Sequence, residues 1–112
     1  MVEEYDSVSD TWQTAPMPTG RILPRAAVVG AKLYVIGGVS SNGGSGVNVV
    51  EEYDPATNMW VTRTPMPTPR YYPGVAGIGA RLYVVGGNGD LGQSTVVEEY
   101  TPSLIGYILF RN

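Results

Sequence analysis

Leu33-Tyr34-Val35-Ile36-Gly37-Gly38 is the stretch on which the fold turns. Four consecutive apolar residues, rich in β-branched and aromatic types, read as a strand buried on both faces. The glycine pair ends that strand. The same stretch returns as Leu82-Tyr83-Val84-Val85-Gly86-Gly87. Working outward, Val2-Glu3-Glu4-Tyr5-Asp6 returns as Val50-Glu51-Glu52-Tyr53-Asp54 and again as Val97-Glu98-Glu99-Tyr100. Glu3, Glu51 and Glu98 stand 48 and 47 residues apart (51 − 3 and 98 − 51). Trp12 matches Trp60, and Pro16-Met17-Pro18-Thr19 matches Pro65-Met66-Pro67-Thr68. So many ordered matches at one period mark a tandem repeat.

Each period carries four strand signals: Ala26 to Val29 (A), Leu33 to Ile36 (B), Val49 to Tyr53 (C) and Met59 to Arg63 (D). Gly30-Ala31-Lys32 turns A into B. Asp54-Pro55-Ala56-Thr57-Asn58 turns C into D, with proline presetting φ and Asp and Asn closing side-chain turns. Four short antiparallel strands per repeat predict an all-β chain built of β-propeller blades. A lone four-stranded sheet has two apolar faces and covers neither, so blades stack. The chain divides into strands C and D of a first blade over 1–20, a complete blade over 21–66 and a second blade over 67–112.

These residues resemble the kelch family. The marks are Gly37-Gly38 and Gly86-Gly87, then Tyr53 and Tyr100, then a Trp seven residues on, as in Tyr53 to Trp60 and Tyr5 to Trp12. Met17-Pro18-Thr19-Gly20-Arg21 and Met66-Pro67-Thr68-Pro69-Arg70 belong to the same pattern. The resemblance covers roughly residues 2–103 and implies kelch-type blades of four antiparallel strands in an incomplete propeller. Glycine permits positive φ and close backbone approach where strand B ends. Arg21 and Arg70 recur at one place in two repeats and read as structural, paired with a repeat glutamate.

The ends depart from the pattern. The order is C-D, then A-B-C-D, then A-B-C, with Tyr107 aligned under Trp60 in a weakened last strand D. Propellers close with about four to eight blades, so this chain reads as a piece of a longer propeller or as a unit that self-associates through open blade faces. The surplus second strand C favours the piece.

Composition narrows the chemistry. Seven basic and ten acidic residues give a net charge of −3 with no basic cluster, which argues against nucleic-acid and membrane-surface binding. No cysteine or histidine is present, so disulfides, the usual zinc and copper ligands and Ser-His-Asp or Cys-His catalysis are excluded within this chain. No cofactor is expected. No signal peptide or membrane-spanning run is legible, and the compartment is left open.

Two motifs are decoys. Gly87-Asn88-Gly89-Asp90-Leu91-Gly92 fits a dinucleotide fingerprint, but the helix that motif requires is replaced by strand C. The Glu pairs do not make a paired-acid site of the glycosidase kind, because neighbours in a strand face opposite ways.

Recognition is expected where the repeats differ. B-C and D-A loops emerge at one end of a propeller, and positions free of the shared fold's demands are the better candidates. Arg25, Asn42, Tyr71, Tyr72, Asn88 and Asp90 stand out on those loops. Adjacent tyrosines supply area and hydroxyls suited to a protein, peptide or carbohydrate. The expected function is non-catalytic binding, with a protein or peptide as partner. The alternative, which the resemblance also implies, is a piece of a carbohydrate-active enzyme such as a sugar-acid isomerase, with Arg25 or Arg70 holding a carboxylate.

Overall fold

The computed structural model describes residues 1–40, 46–90 and 92–102. Its thirteen strands are β1 (Val2–Asp6), β2 (Thr11–Ala15), β3 (Arg21–Ile22), β4 (Arg25–Val29), β5 (Lys32–Ile36), β6 (Val39–Ser40), β7 (Val50–Asp54), β8 (Met59–Thr62), β9 (Gly74–Ile78), β10 (Arg81–Val85), β11 (Asn88–Gly89), β12 (Gly92–Gln93) and β13 (Val97–Tyr100). No helix occurs among the described residues.

The central sheet has the order β4-β5-β7-β8, a four-stranded antiparallel meander. Ala27 faces Tyr34, Tyr34 faces Glu52, and Glu52 faces Val61 across it. The next repeat gives β9-β10-β13 in the same order, with Gly77 and Tyr100 flanking Leu82. The first repeat contributes the β1–β2 hairpin, whose Tyr5–Trp12 pair reproduces the Tyr53–Trp60 pair of β7–β8. Ring centroids lie 5.2 and 5.1 Å apart in the two pairs, both tilted. The last-strand reading at Tyr107-Ile108-Leu109-Phe110 lies outside the described residues.

The core sits between sheets. Tyr34, Ile36 and Val50 of the central sheet pack with Leu82 and Val84 of the next, and Met66 on the connecting segment joins them. Each such side chain contributes roughly 1.5–3 kcal/mol by leaving water. The innermost strands, β4 and β9, come closest, and Gly77 makes that approach workable because a Cβ there would strike the Val28 carbonyl oxygen. Stacking therefore buries what one sheet cannot.

Burial also shows where stacking stops. Tyr34, Val35 and Ile36 of β5 are all buried, as a strand covered on both faces must be. In β10 only Leu82 and Val84 are buried, and Tyr83 and Val85 look away from the central sheet. The sequence of β10 reads as doubly buried, but among the described residues nothing covers its second face. The same contrast separates half-buried Trp60 from Trp12, which is 65% exposed. Observed strand limits differ from the expected ones by a residue: β4 takes in Arg25, β5 takes in Lys32, and β8 stops at Thr62.

Candidate recognition surface

The segment from Arg63 to Pro73 runs between repeats and is bonded to loops on both sides. Arg63 N donates to Val50 O at 2.9 Å, Met66 N to Asn48 O at 2.9 Å and Arg70 N to Val47 O at 3.2 Å. Tyr71 and Asn88 exchange both backbone hydrogen bonds, at 2.9 and 3.0 Å. One repeat earlier, β3 pairs with β6 in the equivalent way. The connections from D to A and from B to C are thus woven together. The glycine pair allows it. Gly37 and Gly38 have φ of 66° and 110°, and a Cβ on Gly37 would meet the Arg70 carbonyl oxygen. Gly38 N donates to that same oxygen at 3.0 Å.

Beneath this weave lies a brace that recurs in both repeats. Arg21 Nη2 donates to Glu51 Oε1 at 2.6 Å, Nη1 donates to Gly37 O at 2.7 Å, and Thr19 donates to Glu51 Oε2 at 2.8 Å. Arg70 Nη2 donates to Glu98 Oε1 at 2.6 Å, Nη1 to Gly86 O and Val96 O at 2.9 Å each, and Thr68 to Glu98 Oε2 at 2.8 Å. Both guanidinium groups are fully buried. A charge removed from water must be paired and hydrogen-bonded; carbonyls at the end of strand B and, for Arg70, Val96 O ahead of β13 accept from Nη1, while Arg70 Nε is buried with no partner among the described residues.

The second glutamate of each pair faces the other way. Glu52 receives two hydrogen bonds from Arg63, at 3.1 and 3.0 Å, and one from the Tyr34 hydroxyl. Burial is the largest single influence on Glu52 and opposes its charge. The hydrogen bonds from Arg63 and Tyr34, with the attraction of Arg63 and Lys32, outweigh it and hold the carboxyl below its ordinary range. Burial, then the bond to Glu52, raises the Tyr34 phenol. Glu99 bonds Tyr83 at 2.7 Å and Arg81 at 3.3 Å but stays exposed.

The exposed surface above the brace is built from the points where the repeats differ. Leu23 and Tyr72 hold the same place in successive connections, and both adopt left-handed backbone, with φ of 56° and 59°. Tyr72 N donates to Leu23 O at 3.1 Å, tying the two connections together. Arg25 lies over the Tyr72 ring, its Cζ 4.3 Å from the centroid. Ile22, Leu23 and Tyr72 are 55%, 45% and 54% exposed around this contact. Arg25 and Tyr72 are therefore brought together. Tyr71 and Asn88 are half-buried and joined through backbone, not side chains. Asp90 is exposed at the turn beyond β11 and makes no ion pair among the described residues. Asn42 lies outside the described residues. Ile22 and Leu23 join this surface without having stood out in the sequence. A leucine carries no signature of left-handed backbone, so only the offset between Leu23 and Tyr72 could have pointed there.

Among the described residues no group of three or more carboxylates is placed to hold a metal ion. No helix among them is long and apolar enough to cross a membrane.

A four-stranded antiparallel meander stacked on a three-stranded one, a core between the sheets and a repeated brace are the marks of β-propeller blades. Residues 20–67 match the Kelch motif. It is similar to Kelch-like protein 4 of Homo sapiens, 42% identical over 60 residues, which are 53% of this chain and 8% of that protein. It is similar to Kelch-like protein terF of Aspergillus terreus, 36% identical over 64 residues, or 54% of this chain and 14% of that protein. Kelch-like protein 23 of Mus musculus is 36% identical over 61 residues, or 54% of this chain and 11% of that protein. The chain thus matches only a small part of the length of these relatives.

Proposed function

We propose that this chain is a non-catalytic kelch-repeat binding module that grips a protein or peptide through its D-to-A and B-to-C connections. The observation that carries this reading is the exposed cluster of Leu23, Arg25 and Tyr72, pinned by the Tyr72–Leu23 backbone bond. Tyrosine and arginine are the residues richest in interface hot spots. Left-handed backbone at non-glycine residues costs about 1–3 kcal/mol each, and strain at both sites of one exposed cluster is consistent with a surface shaped for contact. Tyr71, next to Tyr72 in the chain, and Asn88, paired with Tyr71 through backbone, belong to the same pair of connections.

The carboxylates support binding over catalysis. Glu51 and Glu98 are held by Arg21 and Arg70, and Glu52 by Arg63. None of the three is free to act as acid or base. Site-specific photo-crosslinkers at positions 25 and 72, with one at 56 on the opposite C-to-D turn, test the reading. Binding through the proposed surface gives partner adducts at 25 and 72 only. Adducts concentrated at 56, or equal at all three, would overturn it. Turnover of hexuronic acids by the chain would favour an isomerase instead.

A further inference from the structure

We infer that this chain associates head to tail with copies of itself, the β1–β2 hairpin of one copy taking the place of β13 against β10 of the next. Two surfaces are left without a partner among the described residues, and they match. The first is the outer face of the last sheet, where Ile78, Val85 and Val97 are exposed. Their counterparts one repeat earlier, Val29, Ile36 and Val50, pack into the core between sheets. The second is the hairpin. Tyr5 and Trp12 are exposed on it. Glu3 and Glu4 make no ion pair among the described residues, although their counterparts Glu51, Glu52, Glu98 and Glu99 each hold a basic side chain.

The sequence supplies the fit. β13 reads Val97-Glu98-Glu99-Tyr100 and β1 reads Val2-Glu3-Glu4-Tyr5. In the register of β13, Tyr5 falls opposite Leu82, Glu4 opposite Tyr83, Glu3 opposite Val84 and Val2 opposite Val85. The side-chain bonds of β13 are kept. Glu3 inherits the Arg70 guanidinium and the Thr68 hydroxyl, and Glu4 inherits Tyr83 and Arg81. The exchange also adds a strand. β13 is the third strand of its sheet, whereas β1 brings β2 with it and completes a sheet of four like the central one. Beside Tyr100 lies a cavity of about 160 Å³ lined by Ile36, Pro65, Met66, Leu82 and Val84. Trp12, paired with Tyr5, arrives on that side of the sheet. The strand left surplus is β13, which the exchange releases. By the repeat, the central sheet of the donating copy then covers the Val85 face, as β10 covers Ile36. A head-to-tail contact repeats until the rotation closes. With two completed sheets per copy, about two to four copies span the roughly four to eight blades of a closed propeller.

The test uses the whole chain, whose lack of cysteine lets introduced pairs report alone. Gly86 N donates to Val96 O, so Val85 and Val97 form a non-hydrogen-bonded pair, the kind whose side chains come closest. Val85→Cys with Val97→Cys, oxidised in dilute solution, therefore locks β13 in place. Light scattering over a dilution series reads the mass. β13 competes as a tethered strand, so exchange grows with concentration. The unaltered chain and the reduced double variant should rise from a single copy to the closed ring, and the oxidised variant should stay a single copy. Mixing a Val2→Cys chain with a Val85→Cys chain under mild oxidant should join the two kinds to each other in preference to themselves. An unaltered chain that stays a single copy throughout would overturn the proposal. So would an oxidised variant that associates like the unaltered chain, or cross-links no more frequent between the two kinds than within each.

Discussion

Replacing Arg21 by methionine tests the brace at its most buried point. The substitution keeps the apolar stem and removes the guanidinium. Glu51, 1% exposed, keeps only the Thr19 hydroxyl, and the Gly37 carbonyl loses its 2.7 Å donor. Breaking a buried pair from one side costs about 3–5 kcal/mol, because the other charge stays buried and uncompensated. Domains are stable by only about 5–15 kcal/mol, so the loss is a large share of the total. With a urea m-value of about 1.5 kcal/mol per molar, the midpoint falls by roughly 2–3 M. Tryptophan fluorescence reports it, since half-buried Trp60 packs on Tyr53. Two comparisons isolate the cause. Glu3→Gln alters the same repeat position where it is exposed, and should shift stability by less than about 0.5 kcal/mol. Arg21→Met with Glu51→Met should recover more than about 1 kcal/mol relative to the single change, because no charge is stranded. A loss below about 1 kcal/mol for Arg21→Met, or one equal to that of Glu3→Gln, would refute the brace.

Other expectations follow from single contacts. Gly77→Ala pushes a Cβ at the Val28 carbonyl and should cost about 1–3 kcal/mol by overpacking. Gly20→Ala, with open space around it and no positive φ, should be neutral or stabilise by up to about 1 kcal/mol; equal urea midpoints for the two variants would remove Gly77 from the inter-sheet contact. Glu52 titrates lower in the folded chain than its ordinary value of 4.5, so its contribution is present above that value and is lost as pH falls through the lower, folded one. Urea midpoints measured from pH 7 to pH 3 should fall in acid, and Glu52→Gln should flatten that fall; an unchanged slope in the variant would contradict it.

The repeat, its four-strand order and the burial of strand B were legible because burial and periodicity are written in residue type. Which copy of a repeated residue is buried was not. Trp12 and Trp60 are the same residue in the same motif, and only the neighbouring sheet separates an exposed ring from a half-buried one. The short strands β3, β6, β11 and β12 were not legible, since two-residue pairings leave no alternation to read. The left-handed turn at Leu23 and Tyr72 was likewise invisible, because its residues lack the glycine or asparagine that usually announces one. Arg25 was found on a loop by its difference between repeats. Its place at the head of β4, over the Tyr72 ring, came from tertiary contacts that sequence spacing does not encode.

Stacking of sheets through a shared apolar layer is open to a direct probe, the Met66 side-chain methyl. In a methyl-labelled sample its NOEs should reach Ile36 and Val50 on one side and Leu82 and Val84 on the other. NOEs confined within each sheet, with none crossing from Ile36 or Val50 to Leu82 or Val84, would mean that the repeats fold side by side without a common core.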